Sequence, residues 1–352
     1  MKDKIDIRGM MPEELAELML KNDEKKFRGL QVFSWIQKKN AQDLKEIKNI
    51  GIRTRKILEQ NIRLSPLKIV QSLISEDGTR KYLWELADEE RIETVYMHHE
   101  GERTKTRNTL CLSTQVGCPM KCSFCATGQM NFSRNLSAGE IVSQVIDVTR
   151  HMQAEIPDFK VQNLVYMGMG EPLLNLANVI KSIRILNSPE GQQISQRRIT
   201  VSTCGLVPKI KELMSEDLDI VLAVSLHAPN NEIRERLMPI NKEYPLQKLI
   251  PVCREYANKT GRRITFEYVM IKGINDAPEH AEQLAELLVN INANVNIIPI
   301  NEHSNSTYKR SPKERIKAFV DVLTKKSVQS VIREEKGSDI AAACGQLAGE
   351  ER

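Results

Sequence analysis

From residue 163 onward, short runs rich in β-branched residues alternate with amphipathic stretches. The runs are NLVYMGMG, RRITVSTCG, DIVLAVSLH, RITFEYVMI, VNIIPIN and VQSVIRE. Among the amphipathic stretches are LANVIKSIRILN, HAEQLAELLVNIN and PKERIKAFVDVLTKK, and SAGEIVSQVIDVTRHMQ precedes the first run. Apolar residues at helical spacing make these stretches helices. Repeated strand-then-helix units predict an α/β fold with a parallel sheet, closed or partly closed into a barrel. About six units are too few for an eightfold barrel, so a partial (β/α)6-type barrel is expected. In such sheets the loops after the strands' C-terminal ends build the site. Cys118 to Cys125, GMGEP, STCG, SLHAPN and PINEH all fall in such loops, so the topology predicts one shared mouth.

The barrel is expected over residues 104–337, with a short C-terminal segment, 338–352, beyond it. Residues 65–103 carry LKIVQSLIS, the turn EDGT, RKYLWEL and RIETVYM. They predict an antiparallel meander linking the barrel to what precedes it. Residues 1–64 read as a helical accessory domain. They hold 15 Lys and Arg against 10 Asp and Glu, which accounts for the whole chain's net charge of +5. Basic charge on a small helical unit predicts a nucleic-acid docking module or, equally, a solvated lysine-rich face. The N-terminal MKDKIDIRGM lacks the apolar core of a secretory signal, and no apolar run reaches the length of about 18 residues that spans a membrane. A cytoplasmic location is expected. There the seven cysteines stay reduced, and clustered thiols point to a metal or to catalysis rather than to structural disulfides.

Three of those thiols, Cys118, Cys122 and Cys125, fall within GCPMKCSFCATG in the spacing C-x3-C-x2-C. A structural zinc takes four protein ligands, and a distant histidine such as His227 could supply the fourth. An iron–sulfur cubane on three cysteines leaves one iron free for another ligand, and soft thiolates suit it. Both readings follow from the spacing.

The triad after the first barrel strand resembles that of the radical S-adenosylmethionine (SAM) superfamily. In that family the open iron binds the amino and carboxylate groups of SAM. A glycine-rich run ends the next strand beside the amino group, as GMGEP does here. Its glycines permit close backbone approach, and Glu171 offers an anionic partner for an ammonium.

Further motifs narrow the likeness. TLCLSTQVGCPMKCSFC, MGMGEPLLN, VSTCG, SLHAPNNEIRERLMPIN, GRRITFEYVMI and GSDIAAACGQLAG occur in order, and together they resemble the RlmN and Cfr family of RNA adenine methyltransferases over nearly the whole chain. The resemblance implies a [4Fe–4S] cluster on Cys118, Cys122 and Cys125. It implies SAM contacts from Gly170, Glu171, Ser202, Ser225, Leu226, His227 and Asn301. Cys344 would carry a methyl group taken from one SAM. A second SAM, cleaved to a 5′-deoxyadenosyl radical, would activate that methyl for addition to the base. Cys111 would then attack the sulfur of Cys344, release the product and leave a transient disulfide. Glu93 would accept the ring proton, whereas by itself it reads as an exposed strand residue paired with Arg91. Alone, Cys111 reads as a core cysteine and His227 as a satisfied core histidine. Cys204 and Cys253 are expected to be packing residues.

Implied substrates are 23S ribosomal RNA near the peptidyl transferase centre and transfer RNA at the adenosine beside the anticodon. An electron donor such as flavodoxin or ferredoxin and a monomeric state are expected. QRR (196–198) and GRR (261–263) can meet phosphates. The run Pro172-Leu173-Leu174 favours methylation at carbon 2 over the sister reaction at carbon 8. A glycyl-radical activase and a metal-stabilised RNA-binding protein are the more distant readings.

Overall fold

The computed structural model describes residues 4–100, 107–302 and 307–349. A short parallel pair, β1 (Ile5–Asp6) with β2 (Ile62–Arg63), closes the first unit around α1 (Pro12–Lys21), α2 (Phe27–Gln37) and α3 (Ile52–Asn61). The start of α1 is written in its sequence. Pro12 takes the first turn, where no amide hydrogen is missed, and the Glu14 carboxylate accepts from the Met11 N–H at 2.6 Å. Leu15, Met19, Val32, Phe33 and Leu58 are buried in the middle of this unit.

The unit is bolted to the rest of the chain. The fully buried Arg8 grips Asp147 through two hydrogen bonds of 2.7 and 2.8 Å, and the Leu67 N–H donates to the same carboxylate at 2.8 Å. Asp147 lies on α5 (Ala138–Gln153), so one carboxylate ties together residues 8, 67 and 147. Deleting residues 1–64 would strand it without its counter-charge. Arg8→Ala should lower stability by about 3–5 kcal/mol, the cost of breaking a buried ion pair by removing one partner. The shift in the urea midpoint of the purified protein measures it.

Among the described residues, ten strands form one sheet in the order β14-β13-β12-β11-β10-β9-β6-β5-β4-β3. Its antiparallel flank is β3 (Lys68–Ile74), β4 (Arg80–Glu85), β5 (Arg91–His99) and β6 (Arg107–Cys111). From β6 onward the strands run parallel: β9 (Asn163–Tyr166), β10 (Ile199–Thr203), β11 (Val221–Ser225), β12 (Ile264–Met270), β13 (Ala293–Pro299) and β14 (Ser330–Ile332). A small pair, β7 (Gln115–Val116) and β8 (Arg134–Asn135), brackets the cysteine loop and α4 (Ala126–Gln129). The meander is therefore the flank of the barrel sheet itself. Register partners from Val95 and Cys111 to His99 and Arg107 make it continuous with β6, so the meander extends the barrel sheet. Residues 101–106, where the expected boundary fell, lie outside the described residues.

Helices α5, α6 (Leu176–Asn187), α7 (Val207–Leu213), α8 (Asn231–Leu237), α9 (Leu246–Thr260), α10 (Pro278–Leu287) and α11 (Lys313–Lys325) connect the parallel strands. Two-residue alternation decides which side chains reach the interior. On β10, Ile199, Val201 and Thr203 are buried, while Thr200 and Ser202 line cavities. Ser225 and Glu267 are register partners on β11 and β12 and also line the cavity. Among the described residues no helix is long and apolar enough to cross a membrane.

Candidate active site

The cysteine loop begins at Gly117, whose backbone is left-handed (φ 70°) and where a Cβ would collide with the Asn131 carbonyl. Only glycine fits that turn. The loop is then fastened on two sides. The Ser123 N–H donates to Leu237 O at the end of α8, at 2.9 Å. On the other side the Ala126 N–H donates to Gly345 O at 2.7 Å, and the Thr127 hydroxyl to Leu347 O at 2.7 Å. The C-terminal segment thus lies as a strap against the loop that holds the thiols.

Cys118, Cys122 and Cys125 face one cavity of about 170 Å³. Gly170, Glu171, Ser202, Ser225, His227, Asn301 and Cys344 line the same cavity. Of the residues expected to contact SAM, Leu226 alone does not: its side chain is fully buried in the core, and its N–H donates to Glu267 O. Any contact from Leu226 is through its backbone. Gly170 is left-handed (φ 102°), and a Cβ there would lie 2.5 Å from that of Gln115, so the close approach forces glycine.

Burial pushes the Cys118 thiol up to about 12, and it pushes Cys122 and Cys125 above their usual range too. As free thiols they hold their protons at neutral pH, so metal loading must displace those protons. Among the described residues no three His, Cys, Asp or Glu side chains converge on a single ion. Thiolates that each bind a different iron of a cubane have no need to.

The Glu171 carboxylate is buried and already engaged. It accepts from the Cys204 N–H at 2.7 Å and the Leu173 N–H at 3.0 Å. Burial raises its pKa against these donors. His227 is also left-handed (φ 57°), a conformation that costs a non-glycine residue about 1–3 kcal/mol. Its carbonyl accepts from Asn275 Nδ2 at 2.8 Å and its Nδ1 from the Val269 N–H at 3.0 Å. The ring proton therefore sits on Nε2. Burial, with Arg234 nearby, holds the pKa down at about 3, so the imidazole is a neutral donor.

A larger cavity, about 760 Å³, is lined by residues of β5, β6, β9, β10, β13 and β14. Cys111, Cys125, Asn301 and Cys344 line it, and Arg107, Arg197, Arg198, Arg333 and Lys336, against Glu334 and Glu335, give it a net basic wall. Cys111 and Cys344 are electrostatic neighbours, and all seven cysteines are free thiols. No disulfide joins these two in this structure. Burial pushes the Cys111 thiol up to about 12, with Cys344 acting in the same direction. Cys344 is exposed within the opening, yet deep enough that its thiol is raised as well. Its carbonyl accepts from Asn301 Nδ2 at 3.0 Å.

Glu93 is elsewhere. It lines neither cavity and is 1% exposed, which removes the exposed-strand alternative. Its carboxylate is 2.8 Å from the Lys81 ammonium and accepts from the Ala348 and Gly349 N–H groups at 2.7 and 3.1 Å. It anchors the far end of the strap. Cys204 also departs from expectation: it is buried, but at the cavity wall, with its sulfur 3.2 Å from that of Met120. Cys253 is a buried core residue of α9.

Glu267 and Arg333 line the first cavity and were not foreseen. An acidic residue at the centre of the apolar run ITFEYVM was the available signal for the first. Asn296 Nδ2 donates to Glu267 Oε1 at 2.9 Å, while Oε2 is buried without a protein partner. An orphaned buried acceptor in a cavity lined by serines, a neutral imidazole and three thiols fits a polar nucleoside cofactor next to a metal cluster.

A partial barrel that gathers a C-x3-C-x2-C loop, a glycine turn and this polar cavity at one mouth defines a radical SAM enzyme. Residues 112–288 match the family model described as the radical SAM superfamily, and residues 5–64 match the ribosomal RNA large subunit methyltransferase N-terminal domain. The chain is 45% identical over 344 residues to a probable dual-specificity RNA methyltransferase RlmN of Heliobacterium modesticaldum, covering 98% of this chain and 89% of that one. It is 46% identical over 348 residues to the protein of the same name from Moorella thermoacetica, covering 99% and 98%. A crystal structure of a radical SAM methyltransferase from Sphaerobacter thermophilus superposes with a TM-score of 0.92 at 41% identity, covering 98% of this chain and all of that one. The chain belongs to the RlmN family of radical SAM RNA methyltransferases. It works with a [4Fe–4S] cluster and SAM, as that superfamily does, which removes the zinc reading.

Proposed function

We propose that this enzyme methylates carbon 2 of adenine in both 23S ribosomal RNA and transfer RNA, with Cys344 as the methyl carrier and Cys111 as the thiol that releases the product. The relatives' shared name, dual-specificity RNA methyltransferase RlmN, supports the two substrates and the position. Gly170-Glu171-Pro172-Leu173-Leu174 agrees with carbon 2. The observation that carries the chemistry is that Cys344 lines both cavities, the one that fits the cofactor and the one that contains Cys111.

Cys118, Cys122 and Cys125 would hold the cluster, and Gly170, Glu171, Ser202, Ser225, His227 and Asn301, with the backbone of Leu226, would hold SAM. When bound, cluster and SAM together supply a 5′-deoxyadenosyl radical. The chain's own residues do the rest. Cys344 presents its S-methyl group towards both cavities. After that carbon has joined the base and the adduct has given up the ring proton and one electron, the Cys111 thiolate attacks the Cys344 sulfur, the carbon–sulfur bond breaks and the departing carbon takes up a proton to become the methyl group. The product departs, and the transient Cys111–Cys344 disulfide awaits a two-electron reductant. Glu93 is the proposed acceptor of the ring proton, which requires that the strap first uncover it.

The net basic wall of the larger cavity supports RNA entry there, and the basic surface of residues 1–64 would add phosphate contacts. The remaining proposals are a flavodoxin or ferredoxin donor, a monomer and a cytoplasmic location. Protein purified from cells should carry one extra methyl mass on the peptide containing DIAAACGQL. Cys344→Ala should lose that mass and all product while keeping its iron. A wild-type Cys344 that is never methylated would overturn the assignment.

A further inference from the structure

Among the described residues, one buried cation is paired with no anion. Arg234, on α8, is fully buried, and none of the ion pairs among the described residues includes it. Its hydrogen bonds go to neutral groups: Nη1 donates to Asn241 Oδ1 at 3.0 Å and Nη2 to Cys204 O at 2.7 Å, while Nε has no partner. An unpaired buried charge is among the most costly features a fold can carry. Arginine does not escape that cost by losing its proton. Cys204, whose carbonyl Arg234 holds, lines the same cavity as the cysteines of the loop, and the titratable groups that Arg234 interacts with are the thiols of Cys204, Cys122 and Cys253. One of these is a cluster ligand. Moreover, α8 ends on the cysteine loop, through the Ser123 N–H to Leu237 O bond.

We propose that Arg234 is the electrostatic counter-charge of the iron–sulfur centre, a positioning residue that sets how readily the cluster accepts an electron. The inference rests on the family reading, in which Cys118, Cys122 and Cys125 hold the cubane. Three thiolates give such a centre net negative charge, and reduction adds one more electron. A fixed cation behind Cys122 stabilises the reduced form more than the oxidised form, because net charge is among the determinants of cluster potential. The same pairing explains how the fold tolerates the guanidinium: the anion arrives with the cofactor.

The test is a mediated redox titration of the reconstituted holoprotein, followed by electron paramagnetic resonance without SAM or RNA. Arg234→Gln removes the charge and keeps donors. Its midpoint should fall by about 59 mV or more, a tenfold change in a one-electron equilibrium. Arg234→Lys keeps the charge but loses the fork. It should hold the midpoint near wild type even though its melting temperature drops. Should the Gln variant not fold, the Lys variant decides alone. A buried ammonium can lose its proton where a guanidinium cannot, so raising the pH should lower that variant's midpoint more steeply than that of wild type. The groups facing it are Cys122, Cys204, Cys253 and His227, and wild type shares them all. A Gln variant that melts earlier but titrates at the wild-type potential would reduce Arg234 to a brace for the loop after β10. A Lys variant parallel to wild type at every pH would do the same. Failure of wild type to assemble a cluster at all would instead strike the family reading.

Discussion

Cys111→Ala protein should accumulate RNA covalently joined to Cys344. Cys111 and Cys344 line one cavity and are electrostatic neighbours, so removing one thiol leaves the other's chemistry in place. The variant should still accept the methyl group and still add it to the base. It would lack only the thiolate proposed to break the carbon–sulfur bond. Product formation should fall to background, and a protein–RNA adduct should persist on denaturing gels and disappear with nuclease. Mass spectrometry should place a nucleotide remnant on the Cys344 peptide. Normal turnover by this variant would end the proposal for Cys111. Cys111 is half-buried and its thiol lies high, so product release in wild type should quicken as pH rises towards that range and slow as it falls.

Cys122→Ala should abolish the cluster altogether. Two remaining thiolates cannot hold three irons of a cubane. Iron and sulfide analysis after anaerobic reconstitution should therefore return near-background values, with loss of SAM cleavage. The effect should reach beyond chemistry. Cluster binding contributes free energy to the folded state, and the loop proposed to hold it is bonded to both α8 and the C-terminal strap. The variant should resemble cluster-free wild type in melting temperature, and wild type should gain stability on loading where the variant gains none. A full iron complement in Cys122→Ala would remove it from the ligand set.

The features legible in the sequence were those that local rules determine. The thiol spacing and the strand–helix alternation each follow from contacts within a few residues, and the glycine at 170 could be read as a turn although the residue that forces it, Gln115, is distant in the chain. Ser202 and Ser225 could be placed in the mouth because strand ends gather there whatever the register. Glu267 was missed because its significance depends on register: it needs Ser225 on one side and Asn296 on the other. Arg234 drew no expectation from the sequence, and only tertiary packing shows that it is buried. Glu93 was read as exposed because its partner, Lys81, occupies the neighbouring strand and its cover comes from residues 348 and 349. Leu226 inherited a role from its neighbours that its side chain does not share. The accessory unit's basic charge could be read directly. Its dependence on Asp147, 139 positions away from Arg8, could not.

The strap's last anchor has a consequence for timing. While the Ala348 and Gly349 amides occupy the Glu93 carboxylate, the proposed acceptor is out of reach of any ring in the larger cavity. Peeling back those two residues and freeing the carboxylate are one event. Loss of the ring proton then waits on a movement of main chain, and its pace is governed by how fast the segment lifts rather than by the acidity of the base. Such a step slows in viscous solvent, whereas hydrogen abstraction within a closed pocket does not. The two could be told apart in a single enzyme by adding glycerol.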